Sequence, residues 1–391
     1  MKQNRRDPDL YYLLGATLFF GAASGIFLAT FNNYLSDVHS LTAASRGWLE
    51  LPRELPGFLV MFVAAGFLTF TKETRMAAAA MLLTGVGALG MGLVARDTTM
   101  LVLFVIIWSM GDHIIFAVEG PIGLKLAKKG AEGRRLGQLG GARNLGVILG
   151  VGTIYFLARW LGDRYDLFYI VAAVSAFIAG VCYFKLRVGM DEAPSRLIIF
   201  KKKYGIFYAV SALFGVRKQI FLAFGGWVLV RVHGVPVSTI AALYFVSAVL
   251  GVVIRPLLGD VIDWLGERIV LATDEVLLLC ICLTYAFAGD LLPKPYCVYL
   301  LYGAYVFDAV LFALRIARTT YLQKIVDDPS EITPTVSLGI TIDHCVAMTL
   351  PILSGYVWEQ YGFRWVFIIA GAIAAAGFFL CLRIRTNTHR S

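Results

Sequence analysis

The chain has 391 residues, of which 59% are hydrophobic and 16% charged, against about 45–50% and about 25% in ordinary soluble domains. Apolar runs of about 20 residues, long enough to cross a bilayer core of roughly 30 Å, recur along its whole length. About twelve such runs leave only about 10 residues for each connection, which excludes a soluble enzyme, a nucleic-acid binder and a receptor with a large ectodomain. The fold class is an all-α membrane protein.

Taken in order, the apolar segments fall at 11–36, 44–71, 76–95, 99–127, 136–161, 166–187, 204–231, 237–259, 269–290, 296–323, 333–358 and 362–382. Twelve transmembrane helices are therefore expected. Several contain proline (Pro52, Pro56, Pro121, Pro351), which membrane helices tolerate where neighbours satisfy the freed backbone groups. Met1–Leu10 is polar and leads into the first span with no small-residue cleavage site, so it reads as a tail and not as a signal peptide. The six cysteines show no CxxC spacing, and most fall inside apolar runs, where a thiol acts as a small hydrophobe.

The net charge of +9 is mainly a topology signal. With the N-terminus inside, about 21 Lys and Arg fall in inner segments and about 7, Arg46 among them, in outer ones; an excess of that sign marks the cytoplasmic face. Both termini are expected in the cytoplasm. The Lys201–Lys203 run is also a place where anionic headgroups could gather.

The two halves of the chain are related. Phe19–Ala29 lines up with Leu213–Ala223, Val38-His39 falls on Val232-His233, and Asp112–Glu119 lines up with Asp308–Arg315. A parallel repeat of six spans each implies two bundles about an axis along the membrane normal, with the binding site near the midplane between them. The expected division is 1–190, a linker at 191–203, and 204–391.

In these features the chain resembles the major facilitator superfamily of secondary transporters. The most specific mark is the segment after span 8, where Gly259, Asp263, Gly266 and Arg268 are similar to that superfamily's cytoplasmic loop signature. There Asp263 is expected to cap the next helix and pair with Arg268, latching adjacent helices. The equivalent loop after span 2, Ala65 to Arg75, lacks the counterparts of Asp263 and Gly266. Gly137, Gly141, Gly146 and Gly150 in span 5 resemble the superfamily's close-packed fifth helix, without the Gly-Pro of its drug antiporters. The resemblance implies that spans 1, 4, 7 and 10 line a central cavity. No cofactor and no resident metal are expected.

Ionisable residues inside spans are costly, and their default reading is functional. Asp112 and His113 in span 4, Arg217 and Lys218 in span 7, Asp308 in span 10, and Asp343 and His344 in span 11 lie near mid-membrane. Arg217 and Lys218 either bind an anionic substrate or are neutralised by Asp112, Asp308 or Asp343; alternation between the two states is itself a mechanism. About 9 Å nearer the cytoplasm, at 1.5 Å per residue, come Glu119, Arg143 and Arg315. Glu119 and Arg315 are repeat-related and opposite in charge, so they form either an inner gate or, with Arg143 in place of Arg315, a static bridge. Glu50, Arg53 and Glu54 share one face of span 2, as an outer gate against span 11 or as an internal ion-pair set. Asp274 and Glu275 in span 9 are assigned to the bundle's cytoplasmic end.

The reading that follows is a proton-coupled secondary transporter of a small organic anion or zwitterion, working by alternating access. Its carboxylates and the titratable His113 and His344 would serve proton coupling. A proton-driven exporter of hydrophobic cations is the alternative, and a divalent-metal exporter using Asp112/His113 and Asp343/His344 a third. The expected partners are a small-molecule substrate, protons and the lipid bilayer, with no nucleic acid. A monomer in a bacterial inner membrane is expected.

Overall fold

The computed structural model describes residues 8–68, 72–128, 130–187, 200–328 and 331–385. The expected linker therefore lies outside the described residues except for its last four positions, as do the charged N-terminal residues and the middle of the loop after span 2. Thirteen α-helices account for most of the described chain: α1 Pro8–Asp37, α2 Ala43–Leu68, α3 Glu73–Leu93, α4 Thr98–Lys125, α5 Glu132–Leu161, α6 Tyr165–Lys185, α7 Gly205–Gln219, α8 Val237–Leu265, α9 Glu267–Leu291, α10 Lys294–Leu311, α11 Ile316–Ile325, α12 Ile332–Tyr361 and α13 Phe363–Cys381.

Among the described residues eleven helical stretches are long and apolar enough to cross a membrane, so this is a multi-pass membrane protein. α2, the remaining expected span, is described in full only over its first half, which carries Arg46, Glu50, Arg53 and Glu54. Two expected spans are less regular than a single α-helix. Span 7 passes from α7 into π-helical turns at Ile220–Gly225 and Val228–Val232. Span 10 is α10 and α11 joined through a tight 3-10 turn at Phe312–Arg315.

The described chain gathers into two compact units. The first comprises Met1–His39, Leu59–Ala193 and Val237–Phe245; the second, Ser40–Phe58, Pro194–Pro236 and Val246–Ser391. Within the first unit α1 packs on α5 and α6, and α3 on α4 and α6. The α1–α5 crossing depends on glycine. A Cβ at Gly146 would stand 1.9 Å from the Leu18 carbonyl oxygen, and one at Gly150 would stand 2.4 Å from that of Ala22. Such seams let membrane helices approach backbone to backbone. Gly137 and Gly141, expected in the same role, have open space beside them, so the close packing is confined to the second half of α5. Below it Phe20, Met81, Ile115, Val118 and Tyr183 are buried together.

In the second unit α7 packs on α12, and α13 on α9 and α7. An aromatic group of Phe221, Tyr285 and Phe367 joins α7, α9 and α13, with Tyr285 stacked on Phe367 at 4.6 Å. The first half of α2 lies against α12. A Cβ at Gly47 would stand 2.1 Å from the Pro351 carbonyl oxygen, and Trp48 Nε1 donates to the Tyr356 hydroxyl at 2.9 Å. Glu359 accepts from the Ala44 amide at 3.0 Å, satisfying one of the donors that a helix start leaves open.

The segment after span 8 departs from expectation. Gly259 and Asp263 lie inside α8, and Gly266 alone turns the chain into α9, with φ 79°, a conformation that favours glycine. Asp263 does not cap α9, whose first turn receives no side-chain cap. Asp263 and Arg268 are both exposed. The buried acid at this turn is Glu267, which Lys324 of α11 meets at 2.7 Å.

Candidate functional site

The consecutive cations Arg217 and Lys218 sit about 100° apart on α7, as helix geometry requires, and enter two separate networks of the second unit. Arg217 is 4% exposed. Its Nη1 meets both oxygens of Asp274 on α9 at 2.6 Å, while Nε and Nη2 reach Oδ1 of Asp308 on α10 at 3.2 and 3.1 Å. One guanidinium therefore serves two carboxylates, an arrangement its planar fork of donors allows.

Lys218 turns toward α2 and α12. Its ammonium lies 3.2 Å from Asp343 and 3.5 Å from Glu54. His344 Nδ1 donates to the other side of the same junction, to Glu54 Oε2 at 2.9 Å. Glu54 Oε1 meets Arg53 at 2.7 Å, Arg53 Nε donates to Glu50 at 2.7 Å, and Arg46 also bonds Glu50. Arg46, Glu50 and Glu54 are at most 3% exposed. Glu50, Arg53 and Glu54 thus pair with one another, as one of the two readings had it, and the set extends through Glu54 to α7 and α12. Arg46, read from the sequence as an outer-loop charge, is an α2 residue buried against Glu50, one helical turn away.

The two networks differ in charge. Arg46, Arg53 and Lys218 stand against Glu50, Glu54 and Asp343, and Arg318 also lies within electrostatic reach of Asp343. Around Arg217, Asp274 and Asp308 outnumber the cation by two to one. An unbalanced charge away from water is far more expensive than a balanced pair.

In the first unit Glu119 accepts from the Thr17 hydroxyl at 2.9 Å and the Tyr183 hydroxyl at 3.0 Å, and pairs with Arg143. Arg143 lies 4.8 Å from the ring centres of both Phe20 and Phe116, a cation–π placement. The static-bridge geometry is the one present. Arg315 is exposed, with its guanidinium 5.2 Å from the Phe312 ring. Asp112 accepts from Ser24 at 3.4 Å, and His113 Nδ1 is 2.9 Å from the Ser109 carbonyl oxygen. Within the second unit Asp343 turns to Lys218 and His344 to Glu54, so these neighbours on α12 meet the two sides of one Lys218–Glu54 junction.

Sequence reasoning missed Asp274. Its assignment to a helix end gave it no partner, yet it holds Arg217 more closely than Asp308 does. The available signal was its occurrence in a span that carries no cation of its own beyond the first turn. The Lys201–Lys203 run also has protein partners: Lys201 pairs with Glu331 and Lys203 with Asp327. Tyr204 donates to Glu331 at 2.6 Å. Lys201 and Tyr204 hold the Glu331 carboxyl below the usual carboxylate range, and Lys203 does the same for Asp327.

The family model of the Major Facilitator Superfamily matches residues 13–337. The chain belongs to the Major Facilitator Superfamily. It is a transporter and not an enzyme. Among solved structures this superfamily member is similar to the nucleoside transporter NupG in a mutant form, at 14% identity over 96% of this chain and 99% of that one, with a TM-score of 0.80. A bacterial homolog of the human lysosomal transporter Spinster is 16% identical over 96% of each chain, TM-score 0.72. A D-xylose-proton symporter is 14% identical over 98% of each chain, TM-score 0.72. At these identities the likeness is one of fold. No curated protein matches the chain.

Proposed function

We propose that the protein is a proton-coupled secondary transporter of a small organic anion or zwitterion. Twelve spans would form two bundles, 1–190 and 204–391, with both termini in the cytoplasm of a bacterial cell and a monomer as the working unit. The observation that carries the reading is the shared position of Lys218. It is one of the cations of a network in which one carboxylate, Glu54, also meets His344 and belongs to a different helix. A proton on Glu54 removes one negative charge from that network. Lys218 then keeps Asp343 as its one carboxylate and has a place for a carboxylate from the solute, and the first half of α2 loses its ionic tie to α7 and α12. Substrate binding and helix release become one event, which alternating access requires. The similarity to a D-xylose-proton symporter makes proton drive a natural supposition for this fold.

A second reading has a specific observation in its favour. The excess of carboxylate around Arg217 suits a hydrophobic cation as solute. A thermal-shift screen of the purified protein with small carboxylates and phosphates, hydrophobic cations and divalent metals, at acidic and neutral pH, separates the two. Stabilisation by carboxylates that depends on pH and vanishes in Lys218→Gln supports the anion or zwitterion reading. Stabilisation by cations that survives Lys218→Gln and vanishes in Asp274→Asn overturns it.

A further inference from the structure

Outside both networks, one acidic side chain in the apolar part of the second unit stands by itself. Glu275 follows Asp274 on α9, and among the described residues no hydrogen bond or ion pair reaches it. Its carboxyl group lies against α13 at Gly377. A Cβ there would stand 2.8 Å from the Glu275 Cδ and 2.9 and 3.1 Å from its oxygens. Glycine at 377 thus leaves the space that the carboxyl group fills. The same side chain lines a narrow cavity between α7, α9 and α13, of water-molecule size, with Arg217 as the only other charged residue and Ile220, Leu278, Cys282 and Ala374 among the rest.

The charged and titratable groups around Glu275 are few. Arg217 comes from α7, Asp308 from α10, Cys381 from α13, and Asp274 and Cys282 share α9 with it. The single cation is already engaged by two carboxylates, through Nη1 to Asp274 and through Nε and Nη2 to Asp308. An ionised Glu275 would be a third negative charge around one positive charge, in surroundings that are otherwise apolar. A carboxyl group so placed relieves the imbalance by keeping its proton.

We propose that Glu275 is an intramembrane proton-binding site, occupied at neutral pH, on the α9–α13 side of Arg217. At neutral pH the proton moves only by exchange within the cluster, and strongly alkaline conditions are needed to remove it altogether. It passes from the Glu275 carboxyl group to the carboxylate of Asp274 or Asp308, Arg217 swings to the newly ionised Glu275, and the total charge is unchanged. The ligand is the proton itself, and the site is separate from the Glu54–Lys218 network. Its occupancy is read without transport, so this inference and the proposed function fail separately.

Infrared difference spectroscopy of the full chain in phosphatidylcholine vesicles, between neutral and strongly alkaline pH, tests it. The wild type is expected to show the C=O stretch of a protonated carboxylic acid at neutral pH. Glu275→Gln should lose that band and Glu54→Gln should keep it. A wild type without the band, or a Glu275→Gln protein that retains it in full, overturns the proposal. Should Glu275→Gln not fold, dicyclohexylcarbodiimide on the wild type decides. It adds across a protonated carboxyl group to give an N-acylurea, with no other reactant. An adduct on Glu275 at neutral pH that fades under alkaline conditions supports the site; adducts on other acidic residues with Glu275 unmodified overturn it.

Discussion

Arg217 and Lys218 are adjacent in the chain and opposite in circumstance. Among the described residues Arg217 is the one cation paired with Asp274 and Asp308, held from two helices of its own half of the chain. Lys218 belongs to a set with several cations, Arg46 and Arg53 among them, and it reaches across to α2 through Glu54. The guanidinium, with its fixed fork and permanent charge, suits the role of a clamp. The ammonium, a compact charge on a flexible stem, suits a contact that is made and broken. On the proposed reading, buried charge is structural at Arg217 and switchable at Lys218, and what separates them is how many partners remain when one is removed.

The largest effect that would test this difference is at Arg217. Arg217→Gln leaves Asp274 and Asp308 together without a cation, and loss of one partner from a buried set costs about 3–5 kcal/mol. A large fall in melting temperature in detergent is expected. Adding Asp274→Asn should recover part of it, since residues of one network couple by about 0.5–3 kcal/mol. If Arg217→Gln melts like the wild type, the clamp reading is wrong.

Lys218→Gln should be milder, because Glu54 keeps Arg53 and His344. A loss of about 1–3 kcal/mol is expected, seen as a smaller shift in the same melting experiment. Glu54→Gln, which imitates the protonated acid, should make the first half of α2 more accessible. A cysteine introduced at Trp48 would then react faster with a soluble maleimide than in the unaltered background; an unchanged rate would contradict the proposed tie.

The smallest effect lies outside the membrane-spanning segments. Asp327 and Glu331 sit below the ordinary carboxylate range because of Lys203 and Lys201. Their contribution to stability is therefore fully present above the unfolded values, near about 4, and is lost as pH falls through the lowered folded values. Lys201, Lys203 and Asp327 are exposed and Glu331 is half-buried, so the acid-side slope of melting temperature should be slight. Lys201→Gln with Lys203→Gln should flatten it without altering the melting temperature of Arg217→Gln relative to its own background.

Much of this was readable in the residues, for identifiable reasons. Span positions follow from hydropathy, because backbone groups in lipid must be satisfied within the helix. The i, i+3, i+4 spacing of Glu50, Arg53 and Glu54 announced their mutual pairing. Partner choice across helices was less readable. Nothing in the local sequence of Asp274 says that α9 faces Arg217, nor does anything near Glu54 point to His344, 290 residues later. Both depend on helix rotation, which packing decides. The turn at Gly266 failed differently: a loop signature suggested a capping aspartate, whereas one glycine with positive φ makes the turn and Glu267 is the acid that is buried. Arg46 was counted only as an outer charge at the start of span 2, although Glu50, one helical turn further on, was the available signal of a partner.

The most direct test of the central claim is solute-driven proton movement in vesicles reconstituted with the full chain and loaded with a pH-sensitive dye. A solute found by the thermal-shift screen, added outside, should change the internal pH in the wild type. The account predicts that Glu54→Gln abolishes this proton movement while the solute still stabilises the purified protein. Proton movement that persists undiminished in Glu54→Gln, or solute transport by the wild type with no accompanying protons, would contradict it.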